Sequence, residues 1–243
     1  MYDIDKMHRN NFKDVYNDAF IVGDIVGIEE RGIHAGVEQL LVLVRTHRKG
    51  SKSHFVLVML PDCSETLDLI DKKSRIIIQG KLDVSFTFNF ENSKYVFINP
   101  SKITEVNRDF KMKELKEFYL NYTLYNRVIL EGQIIGEPTR KFIKSSGVYL
   151  NKFKLKLKGM DGKNKTVNCT LWETVKDMVE LRDGLNIKVV SSLSTNNSKI
   201  VGMEKNTPKV EGTVNYNYYN LIVQKIYDLD NIPEKIAQKI YNI

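Results

Sequence analysis

Four lysines occupy every second position of a short run in the second half of the chain: Lys152, Lys154, Lys156 and Lys158. Apolar side chains fill the positions between them, and a period of two is typical of a β-strand with one buried face. Successive lysines on this face would then lie roughly 6.6 to 7 Å apart along the strand. Like charges in such a row repel one another unless water, salt or a bound anion screens them. The row therefore predicts either a solvated face or a surface that contacts a polyanion.

Aromatic side chains offer a second kind of chemistry. Phe86 and Phe88 alternate with other residues in the segment 85–97, whose sequence SFTFNFENSKYVF suggests a hairpin. Aromatic rings at the tip of a hairpin can stack on the bases of a nucleic acid. Core packing is the alternative for the same alternation, and the sequence leaves both interpretations open.

Motifs for catalysis and metal binding are absent from the sequence. There is no phosphate-binding glycine loop, no nucleophile elbow, no H-E-x-x-H and no C-x-x-C. The four histidines lie in the first half and are not spaced as ligands with Cys63 or Cys169. The two cysteines stand far apart and each lies in or beside an apolar run, which predicts two separate buried thiols and no disulfide. We expect a protein that is not an enzyme and that carries no cofactor and no metal.

The charge of the chain is distributed unevenly. Residues 1–120 hold 18 basic and 18 acidic residues, whereas residues 121–243 hold 19 basic and 12 acidic residues. The second half therefore supplies the whole net charge of +7. Such asymmetry indicates a half that binds a polyanion. The apolar runs are too short for a membrane span or a signal peptide, so we expect a cytoplasmic protein without membrane contact.

An internal repeat divides the chain. The segments 22–27 (VGDIVG) and 131–136 (EGQIIG) stand 109 positions apart, and each follows an apolar run. Each is succeeded by two predicted strands, a segment of helical period (64–73 and 173–182) and a fourth strand (76–84 and 185–191). A fifth strand follows in the first copy at 95–98. The placing of the fourth strand in the second copy stays open, because 210–214 resembles 78–82.

A barrel of five strands with a helix between the third and fourth is the OB-fold. We therefore predict an all-β protein, with short helices, built from two tandem OB-fold barrels. The expected domains are 1–106, with an N-terminal arm, and 127–243, with an insertion hairpin and a C-terminal helix. A helical connector is expected at 107–126.

The sequences of several segments resemble those of the bacterial and phage single-stranded-DNA-binding (SSB) family, in its version with two tandem domains. NRVILEGQIIGEPTR at 126–140 is similar to the family's opening strand, and NCTLWETVKDMVELRDGLNIKV at 168–189 to its third strand, helix and fourth strand. In the first copy, RIIIQGKLDV at 75–84 looks like the family's fourth strand. The resemblance extends over 126–190 and, more loosely, over 18–106.

The resemblance implies a set of contacts with single-stranded DNA. Trp172 falls where the family keeps a phenylalanine that stacks on bases, although a tryptophan in the core is the alternative. The lysine row would contact phosphates, with Arg140, Lys141 and Lys144 added from the loop between strands one and two. Tyr149 and Phe142 are further stacking candidates. We expect no counterpart here of the long tail with which the family recruits partners.

The first copy differs on its second strand, where Leu41 and Leu43 stand in place of lysines. A strand that is apolar on both sides is buried on both sides. We therefore expect the first barrel to pack this surface against another barrel, in the same chain or in a second copy.

Taken together, these patterns predict a protein that binds single-stranded DNA with little sequence specificity, in DNA replication, recombination, repair or transfer. The resemblance implies a homodimer that brings together four OB folds. The alternative is an OB-fold assembly module of a replication or conjugation complex with weak or no DNA binding. RNA is a further candidate ligand, because OB folds bind both nucleic acids.

Overall fold

The computed structural model describes residues 16–34, 36–46, 54–86, 94–107, 126–159, 162–173, 180–195 and 219–231. Its described elements are almost all strands. In chain order they are β1 (Asn17–His34), β2 (Val37–Thr46), β3 (His54–Pro61), α1 (Ser64–Asp71), β4 (Arg75–Phe86), β5 (Lys94–Val106), β6 (Asn126–Ile143), β7 (Val148–Lys158), β8 (Asn164–Glu173), β9 (Asn186–Thr195) and β10 (Tyr219–Asp228).

The strands close into two barrels of the same order. In the first, β1 pairs with β2 and β4, while β3 and β5 complete the ring. In the second, β6 pairs with β7 and β9, while β8 and β10 complete it. In both, the third strand runs parallel to the fifth. The prediction of two tandem OB-fold barrels in an all-β chain is confirmed.

The repeated glycines mark the bend at which each barrel closes. Gly23 lies where β1 pairs with β4 on one side and with β2 on the other, and Gly132 holds the equivalent place in β6. A Cβ atom at Gly23 would overlap the carbonyl oxygen of Arg45, and one at Gly132 would overlap that of Lys156. Glycine is therefore required by the close approach of the second strand.

The two barrels share one continuous sheet. The start of β1 pairs antiparallel with the start of β6, from Asn17 opposite Leu130 to Ile21 opposite Asn126. Ala19 faces Val128, which holds the same position in the repeat, so the pairing has local two-fold symmetry. Asn17 exchanges two hydrogen bonds with the backbone of Leu82, and Asn126 does the same with Leu193. β6 thus begins at the last residue of the predicted connector.

Buried ion pairs reinforce the junction. The ammonium group of Lys165 in β8 lies 3.1 Å from the carboxylate of Asp83 in β4, which is 1 % exposed. Lys188 is also 1 % exposed and lies 3.7 Å from a carboxylate oxygen of Glu131 and 4.5 Å from the ring centre of Tyr16. Burial lowers the pKa of Lys188, and the charge of Glu131 opposes this shift. The Lys165–Asp83 pair therefore joins the two barrels, whereas the Lys188–Glu131 pair lies within the second barrel beside the ring of Tyr16.

The outer face of β2 and β3 is buried within the chain, as the sequence predicted. Leu41, Leu43, Leu57 and Met59 are each 7 % exposed or less. β3 lies against β9 of the second barrel, and β4 lies against β8 in the same way. The first barrel therefore packs this face against its own tandem partner.

Several predicted elements differ in detail. α1 ends at Asp71, and Lys73 adopts a positive φ of 50°, so the first helix is shorter than 64–73. The second helix was expected to begin at Glu173, but this residue is the last of β8 because it pairs with Tyr149. Residues 180–182 are not helical either.

The fourth strand of the second copy, which the sequence left open, is β9, and β10 is the fifth. The predicted helix in the connector, the insertion hairpin beyond 195 and the C-terminal helix lie outside the described residues. Both cysteines are free, although Cys63 is only partly buried.

One ionisable group of the first barrel makes stability depend on pH. Burial, with the neighbouring charge of Glu30, raises the pKa of Glu29 in β1 from 4.5 to about 7. The folded state therefore retains a proton that the unfolded state has lost, so stability falls as pH rises from 4.5 to about 7. Glu29→Gln removes this fall. We expect the variant to match the wild type at pH 4 and to be more stable at pH 8 by about 1 kcal/mol, a value reduced for partial exposure.

Thermal unfolding at the two pH values measures this difference. About 1 kcal/mol corresponds to 2–4 °C in Tm for a chain of this size. Glu38→Gln, at an exposed position of β2, is the matched control and should show no pH-dependent gain. Equal gains for both variants would contradict the assignment to Glu29.

Candidate nucleic-acid interface

The lysine row lies on β7, between β6 and β8 in the second barrel. The row and its neighbours on β8 form a ladder of cross-strand pairs: Lys152 with Thr170, Lys154 with Asn168, Lys156 with Thr166, and Lys158 with Asn164. Residues opposite one another in a ladder share a face of the sheet. All eight side chains therefore belong to one outer face.

The alternation is the one that the sequence predicts. Lys152, Lys154 and Lys158 are exposed and Lys156 is half-buried. Between them, Phe153, Leu155 and Leu157 are 5 % exposed or less and belong to the core. The apolar side of β7 thus fixes the strand in the barrel, and this forces the lysines outward.

None of the four row lysines forms an ion pair or a side-chain hydrogen bond within the described residues. Other lysines of the chain do, since Lys165 contacts Asp83 and Lys188 contacts Glu131. A positive row without internal counterions attracts external anions, and its attraction weakens as salt screens it. The electrostatic requirement of a phosphate-binding surface is therefore met.

Trp172 extends this face at the end of β8. It pairs with Leu150 of β7, which pairs in turn with Lys141 of β6. The indole is 51 % exposed, so Trp172 is not a buried core residue. A half-exposed indole on the same face as a lysine row, one strand away from it, is available for stacking.

Arg140, Phe142 and Tyr149 lie on the opposite side of the same hairpin. Phe142 pairs with Tyr149, and their ring centres are 5.0 Å apart at an interplanar angle of 52°. The guanidinium carbon of Arg140 lies 4.2 Å from the ring centre of Tyr149, a cation–π contact. Because neighbours along a strand alternate in direction, this cluster does not share a face with Trp172. The structure separates the predicted site residues into two groups.

Buried polar groups hold the second group in place. A guanidinium nitrogen of Arg140 lies 3.8 Å from the carboxylate of Glu173, which is 4 % exposed. The side-chain amide of Asn151, also 4 % exposed, donates a hydrogen bond to the same carboxylate. Phe142 remains 46 % exposed. The cluster is a fixed cation beside an accessible ring.

Two of the predicted positions need correction and two are not described. Arg140 and Lys141 belong to β6 and not to the loop, because pairing with β7 resumes at Thr139 after an irregularity and continues to Ile143. Only Lys144 lies in the turn, where it is exposed. Phe86 is the last residue of β4, but its side chain lies outside the described part, as does the whole of Phe88.

A polar column on β8, next to the lysines on the same face, was not predicted from the sequence. Its members are Asn164, Thr166, Asn168 and Thr170. Asn164 and Asn168 are exposed, whereas Thr170 is 7 % exposed. The signal was present in NKTVNCTLW, in which polar residues alternate up to Thr170 and the same face then ends in Trp172.

The described residues provide no metal site and no membrane segment. Among them, no three His, Cys, Asp or Glu side chains are grouped so as to hold a metal ion. The described helix is also too short to cross a bilayer. The lysine face with Trp172 is therefore the main candidate site in this part of the molecule.

Comparisons with known proteins support the fold. No family model and no curated protein matches the sequence. A deletion mutant of the single-stranded DNA binding protein from Thermus aquaticus covers 91 % of this chain and 98 % of its own, with a TM-score of 0.60 and 14 % identity. The wild-type protein covers 90 % and 96 %, with a TM-score of 0.58 and 15 % identity. In fold, the chain is therefore similar along nearly its whole length to the two-barrel single-stranded DNA binding protein of Thermus aquaticus.

Proposed function

We propose that the protein binds single-stranded DNA with little sequence specificity on the outer face of β7 and β8. The observation that carries the proposal is the lysine row, unpaired within the described residues, on the same face as the half-exposed Trp172 of the neighbouring strand. Lysines would contact phosphates and release counterions, while the indole would stack on a base of any kind. The strand 2 and 3 face of an OB-fold is also where the fold holds oligonucleotides.

We further propose that the second barrel performs most of the binding and the first acts as a scaffold. In β2 and β3 the positions equivalent to Lys152, Lys154, Asn168 and Thr170 hold Leu41, Leu43, Leu57 and Met59, which are buried. A nucleic acid has no access to a buried face. The concentration of the net charge in the second half agrees with this division.

The cluster of Arg140, Phe142 and Tyr149 is proposed as a secondary contact. The cluster lies on the other side of the hairpin, where it would contact a DNA strand that continues past Trp172 and around the edge of the sheet. Lys141 of β6 shares the face of Trp172, and Lys144 lies in the turn at the end of the hairpin. A role for Phe86 and Phe88 in stacking stays a proposal from the sequence alone.

The remaining assignments are proposals of the same kind. The domains would be 1–106 and 127–243, joined by the connector 107–126. The protein would act in the cytoplasm in replication, recombination, repair or transfer of DNA, as a homodimer with four OB folds and without catalytic activity or cofactor. Size measurement with and without oligonucleotide would test the homodimer.

The intrinsic fluorescence of Trp172, the single tryptophan, tests the proposed site. On addition of oligo-dT, we expect strong quenching because a stacked base lies against the indole. A titration with several oligonucleotide lengths gives the site size, and a matched RNA oligonucleotide in competition gives the preference between the two nucleic acids. Binding without quenching would remove Trp172 from the site. No binding at low salt would favour the alternative of an assembly module.

A further inference from the structure

The outer face of β7 and β8 consists of two unlike columns. β7 presents long cationic side chains, and β8 presents short neutral polar ones that end in Trp172. The two strands lie about 4.8 Å apart. A ligand that covers both columns therefore meets charge along one edge and hydrogen-bonding groups along the other.

A single nucleic-acid strand has the same two edges. Its phosphates carry the charge, and its bases carry hydrogen-bond donors, acceptors and a flat π-face. The stacking residue Trp172 belongs to the β8 column, so a base stacked on it lies over β8. The phosphates then lie towards β7, where the lysine side chains can reach them.

We propose that Asn164 and Asn168 contact the edges of bases while the lysines of β7 contact phosphates. This inference rests on the proposed function and gives the orientation of the bound strand, with its backbone over β7 and its bases over β8. Asn168 lies midway between Asn164 and Trp172 on one strand. The three residues form a regular series of base contacts.

The carboxamide group suits this role without strong selectivity. It has donors and an acceptor, so it can pair with the exposed edge of each of the bases. Neither Asn164 nor Asn168 makes a side-chain hydrogen bond within the described residues. Thr170 is too deeply buried to share the role. Thr166 is half-buried and has an interaction of its own, so the two asparagines are the exposed polar members of the column.

Abasic oligonucleotides separate base contacts from phosphate contacts. The probes are a 12-nucleotide oligo-dT and an abasic strand of the same length, each with a fluorescent end label, measured by anisotropy. For Asn164→Ala with Asn168→Ala, we expect affinity for oligo-dT to fall about 3- to 10-fold in line with lost hydrogen bonds. Affinity for the abasic strand and the salt slope should stay the same.

Lys154→Gln is the contrasting variant. It should lower the affinity for both probes by the same factor, about 5-fold at 0.1 M salt, and should lower the slope of log K against log salt by about 0.7. Asn168→Thr keeps a β-forming residue at an exposed strand position and so guards against loss of fold. It should lose about half, on a logarithmic scale, of the affinity for oligo-dT that the double alanine variant loses, and none for the abasic strand.

Equal losses on both probes, or no loss on either, from the asparagine variants would overturn the inference. Failure of the wild type to bind oligo-dT at all would instead overturn the proposed function. The two failures are thus distinguished by the wild-type titration.

Discussion

Replacement of Lys152, Lys154, Lys156 and Lys158 by glutamine is expected to weaken binding to oligo-dT by two to three orders of magnitude at 0.1 M salt. Each phosphate contact to a single strand contributes about 0.7 to the slope of log K against log salt, so four contacts contribute about 2.8. At 0.1 M salt this is about 600-fold. The fold should survive, because three of these side chains are exposed and Lys156 is half-buried.

The measurement is a salt titration of the wild type and the variant by anisotropy of labelled oligo-dT. The slope is more informative than the affinity at one salt concentration, since it counts contacts. Charge reversal at Lys154 and Lys156 alone should already weaken binding and flatten the slope. A row that is merely solvated would leave the slope unchanged.

Lys81→Gln is the matched control. Lys81 is an exposed lysine of β4 in the first barrel, so the variant loses the same charge away from the row. Its slope should equal that of the wild type within error. An equal loss from Lys81 would mean that the attraction comes from net charge and not from the row.

The placement of the lysines on one face was predictable from the sequence because it depends only on the two-residue period of a strand. The alternation in NKFKLKLK assigns the lysines to one face of a strand without any knowledge of its neighbours, because side chains alternate in every strand. The glycine repeat and the order of strands and helix likewise lead to two OB barrels. These features are local, or repeat within the chain, and each is visible in one sequence.

The features that the sequence did not reveal depend on register. Arg140 and Lys141 were expected in a loop, and only the pairing of β6 with β7 shows that they lie in a strand and therefore belong to opposite faces. The ladder also brings Asn168 opposite Lys154, although no pattern within β8 alone identifies a lysine partner. Pairing across strands is set by the whole barrel, and a single strand does not encode it.

Transfer of two lysines to the first barrel is the second large effect that we expect. Leu41 pairs with Met59 and Leu43 with Leu57, in the ladder positions that Lys152 and Lys154 occupy in the second barrel. Leu41 is fully buried and Leu43 is 7 % exposed. Leu41→Lys with Leu43→Lys removes apolar burial and places ammonium groups where β3 meets β9.

The expected loss of unfolding free energy is at least about 4 kcal/mol, since truncation of one buried leucine alone costs about 2–5 kcal/mol. This is a large part of the 5–15 kcal/mol or so that is typical of whole domains. Thermal or urea unfolding measures it directly. Destabilisation should come without any gain in affinity for oligo-dT, because the lysines cannot become accessible while the barrels stay packed.

The reciprocal variant Lys152→Leu with Lys154→Leu is the control, and its behaviour decides between two accounts of the repeat. If the barrels have divided binding and packing between them, these exposed positions accept leucine with little change in stability but with loss of binding. The same ladder positions would then tolerate opposite chemistry in the two copies. If instead the first barrel accepts lysines at unchanged stability and binds DNA more tightly, its β2 and β3 face is accessible in solution. Both barrels would then be binding modules.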